Sequence, residues 1–135
     1  MLRQISTIIR NNRGQSIVEF ALVLPLLLLL LLGIIDFGQV FYKVILANEA
    51  AREAARTVAT SDAGGSSAKS TAIAAAQAID SSFTANVNST SLVTGDTLIV
   101  TVTGSVAIAD PIMSTFLGNP YSVSAKANMR MEQDM

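Results

Sequence analysis

The apolar residues of this chain are concentrated in one run near its N terminus. Residues 17–35 form nineteen consecutive positions in which Glu19 is the only charged side chain. The leucine block from Leu26 to Leu32 has neither helical nor strand periodicity, as expected of a helix that is apolar all round. At about 1.5 Å per residue such a helix covers roughly 28 Å, close to the hydrocarbon thickness of a bilayer. The pattern predicts one membrane-spanning helix, which Pro25 kinks or locally loosens.

A secretory signal peptide is the main alternative for this run. Its apolar region would be shorter and followed by a small-residue cleavage site, whereas this run leads into Asp36. Arg3, Arg10 and Arg13 precede the run, and the first eighteen residues contain no acid. From Gln15 onward there are six basic and ten acidic residues. The positive-inside rule therefore predicts a cytoplasmic N terminus, with the chain after Asp36 on the outer side.

The helix is predicted to continue beyond the apolar run to about Thr60. The segment from Asp36 to Thr60 has no proline, is rich in alanine and carries two acid–base pairs at helical spacing, Glu49 with Arg52 and Glu53 with Arg56. Four alanines recur every fourth residue and form a ridge of small side chains, namely Ala47, Ala51, Ala55 and Ala59. Such a ridge lets another element approach closely, and it packs either under the chain's own C-terminal part or on helices of neighbouring subunits.

The C-terminal part alternates between apolar and polar positions. After a glycine-containing break over residues 61–68, a second helix is predicted from about Lys69 to Ile79, with Ser67 or Ser70 as its N-cap. Three later segments alternate strictly, over residues 83–88, 97–103 and 121–130. Between the last two, Asp110-Pro111 and Gly118 are expected to bracket a helical turn. The predicted fold class is α+β, a long N-terminal helix packed against a small antiparallel three-stranded sheet.

Composition narrows the possible chemistry. The chain has no cysteine, histidine or tryptophan, so disulfides, thiolate metal sites and histidine bases or ligands are excluded. The formal net charge is −1, and the mildly acidic outer part argues against a nucleic-acid partner. We expect no catalytic residues, no metal and no cofactor. Three acids lie at predicted element ends, where capping and turn roles are the ordinary explanation: Asp80, Asp96 and Asp110.

Glu19 is a carboxylate near the start of an otherwise apolar run. One interpretation is that it lies at the cytoplasmic interface and is solvated. The other depends on Arg13-Gly14, a basic residue followed by glycine at the membrane boundary. If a protease cut after Gly14, the new chain would begin at Gln15 with a free α-amino group, and Glu19 would be its fifth residue. On chains packed side by side, that amine and the carboxylate of a neighbour would neutralise each other and fix the axial register.

Several features of residues 13–59 occur together in a known pattern. They are a Gly-x-x-x-x-Glu-Phe start at Gly14, Pro25 in the apolar run, an Asp-Phe-Gly exit at Asp36, and an alanine-rich helix carrying "AAREAAR". A basic leader ending in glycine, with glutamate at the fifth following position, is the type IV prepilin pattern. The pair Glu19-Phe20 is similar to the Glu-Tyr pair of the Flp-type subfamily. As a whole, the segment resembles the TadE-like family of pseudopilins.

This resemblance implies cleavage by a prepilin peptidase between Gly14 and Gln15, and a role in assembling the tight-adherence (Tad, Flp-type) pilus. It implies three parts: a cytoplasmic leader over residues 1–14, a long helix over 15–60 that includes the span 17–35, and an extracytoplasmic α+β domain over 61–135. The implied partners are other pilins and pseudopilins, the prepilin peptidase, the inner-membrane assembly platform of the pilus and membrane lipid.

Three functions compete on this basis. The first is a minor pilin that helps to build a pilus used in adhesion or secretion. This role suits a chain with an outer domain better than that of a major subunit, because Flp-type major pilins are much shorter. The second is the major structural subunit itself. The third is an uncleaved single-pass membrane protein whose outer domain binds a partner. A membrane-anchored hydrolase is disfavoured by the missing histidine and cysteine.

Overall fold

The computed structural model describes residues 12–61, 66–88 and 95–131. Within these ranges the chain forms three helices and three strands, in the order α1 (Asn12–Thr60), α2 (Ser66–Ile79), β1 (Thr84–Asn88), β2 (Thr97–Val106), α3 (Pro111–Leu117) and β3 (Tyr121–Arg130). The predicted α+β class is confirmed. Most of the predicted leader lies outside the described residues, and so do residues 62–65 of the predicted break.

The three strands form one antiparallel sheet in the order β1-β2-β3. Its register places Ala85 opposite Val102 on one side and Val102 opposite Ala125 on the other. The alternation predicted from sequence is confirmed in β2, where Leu98, Val100 and Val102 are fully buried. Because successive side chains of a strand point to opposite faces, Ile99 and Thr101 between them, and Thr97 and Thr103 beside them, lie on the outer face. One face of the sheet is therefore apolar and covers a helix.

The hydrophobic core lies between this sheet and the C-terminal half of α1. Six alanines of α1 are at most 3% exposed there: Ala47, Ala50, Ala51, Ala54, Ala55 and Ala59. Helix α2 contributes three more alanines, spaced one turn apart, and contacts both α1 and β1: Ala68, Ala72 and Ala76. Small side chains on both helices allow their backbones to approach closely. The largest apolar side chains that fill the remaining space are Phe83 and Leu98.

The N-terminal half of α1, in contrast, projects away from this core. Between residues 14 and 35 every residue is exposed except Leu29 and Gly33, which are half-buried. Among the described residues, α1 is the one helix long and apolar enough to cross a membrane, and none of its most apolar window is buried. A core helix of the same composition would be covered by protein. This half of α1 therefore presents a large apolar surface to its surroundings.

Two local predictions require correction. Helix α2 begins at Ser66, three residues before the predicted start, so Ser67 and Ser70 lie inside the helix and do not cap it. The Ser70 hydroxyl instead donates to the Ser67 carbonyl at 2.8 Å, a bond that satisfies it within the first turns. On α1, Glu53 and Arg56 form the predicted ion pair at 2.8 Å. Glu49 and Arg52 form no ion pair, although the structure describes both.

Candidate functional site: the uncovered half of α1

The predicted processing residues lie in the first turns of α1. Gly14 is the third residue of the helix, it is exposed, and no atom lies within 4 Å of the position that a Cβ would take. The first backbone N–H groups of a helix have no intrahelical partner, so this turn is held less firmly than the helix interior. Gln15 is also exposed, and its side-chain amide donates to the Glu19 carboxylate at 3.0 Å. The structure thus brings together Gln15 and Glu19 one turn apart.

Glu19 stands on an exposed face of the apolar run. Its carboxylate accepts from the Gln15 amide, a neutral group of the same helix. Among the side chains that the structure describes, no cation forms an ion pair with Glu19. A carboxylate placed in a low-dielectric region without a counter-charge is costly. Its role as an assembly counter-charge stays a prediction, since a partner chain would have to supply the positive charge.

Pro25 lies inside α1, which continues on both sides of it. Proline cannot donate to the carbonyl four residues earlier, which is that of Ala21. In a membrane helix a neighbouring helix or a side chain can take up such a carbonyl. Pro25 therefore marks a point on the uncovered half where α1 has one fewer internal bond.

The predicted alanine ridge is used within the chain. Ala47, Ala51 and Ala55 are fully buried, and Ala59 is 3% exposed, in the core formed with α2 and the sheet. This is the first of the two alternatives that the sequence left open. Between Ala47 and Ala59, the small residues of α1 therefore pack against the chain's own outer domain and not against a neighbouring helix.

Closer to the apolar run, α1 carries exposed aromatic side chains. Phe37 and Phe41 lie one turn apart, with ring centroids separated by 6.5 Å and ring planes inclined by 17°. Both are more than 60% exposed, and so is Tyr42 beside them. Large aromatic rings that lie side by side on a bare helix surface favour burial against another protein chain or against lipid.

Sequence reasoning missed the role of Asp36. This residue is fully buried, and its carboxylate accepts the backbone N–H groups of Ala109 at 3.1 Å and Asp110 at 2.6 Å. Asp110 in turn caps α3, accepting from the N–H groups of Ile112 and Met113. The capping role predicted for Asp110 is therefore confirmed. Together the two carboxylates fix the connection between β2 and β3 against α1, at the end of the apolar run.

A second polar cluster joins α1 to the connection between α2 and β1. The Lys43 ammonium donates to Asp80 at 2.5 Å and to the Ser82 hydroxyl at 2.8 Å. It also lies 4.9 Å from the centroid of the Phe83 ring, in the geometry of a cation–π contact. The Lys43 ammonium, with the hydroxyl and N–H of Ser82, lowers the pKa of Asp80 to about 2. Sequence had indicated only a turn role for Asp80, because its cationic partner lies 37 positions away.

The outer face of the sheet forms an open groove of about 810 Å³ beside α2. Two lysines contribute to it, Lys69 and Lys126, together with threonine and asparagine side chains of the strands. The residues that the structure describes contain no group of three or more acids that could hold a metal ion. Hydroxyls, amides and ammonium groups on an open surface supply no paired acid and base for catalysis.

The decisive comparison concerns α1. Residues 14–56 match the family model of the TadE-like proteins. Over this stretch the chain is similar to the TadE-like family. The match confirms the resemblance inferred from the sequence, and it begins at the predicted processing glycine. It ends at Arg56, inside the buried part of α1.

The TadE-like segment therefore comprises the uncovered half of α1 together with most of the ridge on which the outer domain rests. The family is a structural one associated with the Tad pilus. No curated protein and no solved structure gave a significant match to the chain.

Proposed function

We propose that the chain is a TadE-like pseudopilin, a minor pilin of a Tad/Flp-type pilus system. It is anchored in the cytoplasmic membrane by residues 17–35, with its N terminus in the cytoplasm and residues 61–135 outside. A prepilin peptidase removes residues 1–14, and the subunit then packs with other pilins and pseudopilins on the inner-membrane assembly platform. Its contribution is to pilus assembly, and through the pilus to adhesion or secretion.

The observation that carries this proposal is the division of α1 into two halves. The C-terminal half is built into the core of the outer domain, whereas the N-terminal half leaves nearly all of its apolar surface uncovered. An exposed apolar helix of this length needs lipid or other helices around it. The three arginines before the apolar run supply the charge asymmetry that orients it.

Assembly would use Glu19 and the aromatic residues above the apolar run. In a single chain Glu19 contacts the neutral amide of Gln15. After cleavage the α-amino group of Gln15 would carry a positive charge, and the amine of one subunit would meet the carboxylate of its neighbour. Phe37 and Phe41, which the chain leaves exposed, would contact adjacent helices at the next level.

The test is the intact mass and N-terminal peptide of the protein isolated from membranes, with an active or an inactive prepilin peptidase. We expect a chain that begins at Gln15 only when the peptidase is active. The variant Gly14→Leu should remain uncleaved. Gly38→Leu is its matched control, because both glycines lie in α1 and a Cβ at either meets no atom within 4 Å. A chain that keeps its leader in every case would support the uncleaved single-pass alternative.

Counting copies in purified filaments separates the minor from the major subunit. A minor pilin would be present in a few copies per filament, at a tip or base, whereas a major subunit would account for most of the filament mass. The outer domain favours the minor role, because it adds an α2–sheet unit to each subunit that a thin filament would have to accommodate at every repeat.

A further inference from the structure

Helix α3 starts beside the last turn of the apolar run. The Asp36 carboxylate holds the backbone of Ala109 and Asp110, and a Cβ on Gly33 would lie 3.5 Å from Asp110 Oδ2. Gly33 is half-buried. Leu29, which lies one helical turn earlier on the same face of α1, is also half-buried. The start of α3 is therefore fixed at the level where the apolar run ends, and it lies against α1 at that level.

Most side chains of α3 are apolar, and yet none of them is buried. Ile112 is 49% exposed, Phe116 is 83% exposed and Leu117 is 44% exposed. A helix of seven residues gains little stability from its own hydrogen bonds. Its length and position are set by the Asp110 cap and by Gly118 at its other end, whose N–H donates to a carbonyl of the helix at 3.0 Å. The structure thus holds three apolar side chains on the surface at a defined place.

The connection that carries α3 and the adjoining part of α1 contain few charged residues. From Ala107 to Pro120 the one charged residue is Asp110, and from Phe20 to Tyr42 it is Asp36. Both carboxylates are buried, at 2% and 0% exposure. Exposed charges of the outer domain lie on other parts of the molecule, among them Arg52, Lys69, Asp96, Lys126 and Arg130. Along these two stretches of the chain, therefore, no fully exposed charged side chain occurs.

We propose that α3 is a second membrane contact, an interfacial helix that inserts Ile112, Phe116 and Leu117 into the outer boundary between lipid headgroups and acyl chains. This inference rests on the proposed membrane anchoring of α1. An interfacial helix buries its apolar side chains only part of the way into the bilayer, so one short segment suffices when it is tethered beside a spanning helix. The hydroxyls of Ser114 and Thr115, which could oppose insertion, both donate to a carbonyl at the start of α3.

Lipid fits this surface better than a neighbouring subunit does. The exposed apolar side chains of α3 follow directly on Asp110, which lies beside Gly33 at the end of the run proposed to span the membrane. Each of the two buried carboxylates accepts two backbone N–H groups, which lowers the cost of placing acidic residues this close to hydrocarbon. The outer domain would then rest on the bilayer through α3 and would be held there by Asp36.

The test exploits the absence of tryptophan from the chain. Three full-length variants each carry one tryptophan: Phe116→Trp in α3, Leu28→Trp in the apolar run, and Thr60→Trp at the far end of α1. All three sites are exposed, so the substitutions leave the core unchanged. Each variant is reconstituted at low density into phosphatidylcholine vesicles, with or without lipids brominated near the top of the acyl chains. Tryptophan emission reports both polarity and contact with bromine.

We expect bromine to quench the emission of the Phe116→Trp and Leu28→Trp variants, together with a shift to shorter wavelength, and to leave Thr60→Trp unaffected. Quenching in Leu28→Trp but not in Phe116→Trp would overturn the interfacial role of α3 and leave membrane anchoring intact. If the emission of Phe116→Trp shifted only when subunits were concentrated, without quenching, α3 would be a subunit contact and the lipid proposal would be wrong. Absence of quenching in Leu28→Trp would overturn both the anchoring and the inference.

Discussion

Asp36 and Asp110 are 74 residues apart in the chain, and the carboxylate of Asp36 accepts the backbone N–H of Asp110 at 2.6 Å. A second bond, from the N–H of Ala109, completes the arrangement at 3.1 Å. Both carboxylates are almost completely buried. One side chain of α1 thus satisfies two backbone groups of the connection between β2 and β3. These hydrogen bonds hold the connection at the end of the apolar run, beside the buried side chain of Ile108.

Replacing this carboxylate should release the connection. In Asp36→Ala two buried N–H groups lose their acceptor, and we expect a loss of about 1–3 kcal/mol in the free energy of unfolding of the outer domain. Hydrogen exchange at the amides of Ala109 and Asp110 should accelerate. Denaturant titration and exchange measured by mass spectrometry in detergent micelles check both results. Asp96→Ala, at an exposed turn, is the control, and unchanged exchange at the two amides would contradict the prediction.

Gly104 is required by the ring of Phe83. A Cβ at residue 104 would lie 2.5 Å from two carbon atoms of that ring, a separation that forces the ring or the strand to move. We expect Gly104→Ala to destabilise the fold by about 1–3 kcal/mol, the usual cost of overpacking. The matched control is Gly38→Ala, which meets no atom within 4 Å in the interior of α1 and should stabilise the helix by up to about 1 kcal/mol. Thermal unfolding that shifts equally in both variants would count against this interpretation.

The Lys43–Asp80 pair should make stability depend on acid pH. Because the pKa of Asp80 is lowered to about 2 in the folded chain, its ionised form is favoured by folding. The resulting stabilisation is fully present above the ordinary aspartate pKa of about 4, and it is lost as the pH falls through the folded value. With the discount that partial exposure requires, we expect it to amount to about 1 kcal/mol.

Denaturant titrations of the wild type and of Asp80→Asn at about pH 6 and about pH 2 check this dependence. The wild type should lose its extra stability between these values, so that the difference between the two proteins shrinks with acidification. Lys43→Met removes the same ion pair from its other side and should behave like Asp80→Asn. A difference that stays constant across the range would show that the ion pair contributes nothing to the pH dependence.

Glu19 should matter for assembly and not for folding. We expect Glu19→Gln to leave cleavage and the outer domain unchanged, because the side chain is exposed and its carboxylate contacts Gln15 of the same helix. Incorporation into filaments should fall by about tenfold if the pair with a neighbouring amine contributes about 1.4 kcal/mol. Quantitative immunoblotting of sheared pili measures this incorporation. The control is Glu49→Gln, which replaces an exposed acid in the C-terminal half of α1. Equal incorporation of both variants would favour a merely interfacial Glu19.

Features determined by neighbouring residues could be predicted from the sequence. The apolar run, the strand alternation and the turn of helix between Asp110 and Gly118 each depend on residues within a few positions, and the structure contains all three. Helix α2 begins earlier than predicted, at Ser66. The Ser70 and Thr71 hydroxyls lie inside it and both donate to the Ser67 carbonyl, so neither acts as its N-cap.

The contacts that join distant parts of the chain could not be predicted. Asp36 appeared as part of a family motif at the helix exit, but its partners are backbone groups far along the chain, which no side-chain pattern reveals. The pairing of Lys43 with Asp80 depends in the same way on how the connection after α2 crosses α1.

The roles of the candidate site residues in processing and assembly stay predictions. Sequence singled out Gly14, Gln15 and Glu19 by their spacing, and the structure places the last two in contact one turn apart. The sequence left open which surface the alanine ridge contacts, because a row of small residues fits an internal partner as well as an external one. Only the packed fold shows that the chain's own outer domain covers it.

The continuity of α1 has a mechanical consequence. From Leu26 to Thr60 the same helix passes from the apolar run into the core of the outer domain, with no proline in between. A force or torque applied to the apolar half of α1 is transmitted along the helix by its backbone hydrogen bonds. The packing of the buried alanines then transmits it to the sheet. The outer domain is therefore coupled rigidly to the membrane-proximal half of α1. If α1 is displaced along its axis or rotated about it, the sheet must be displaced or rotated by the same amount.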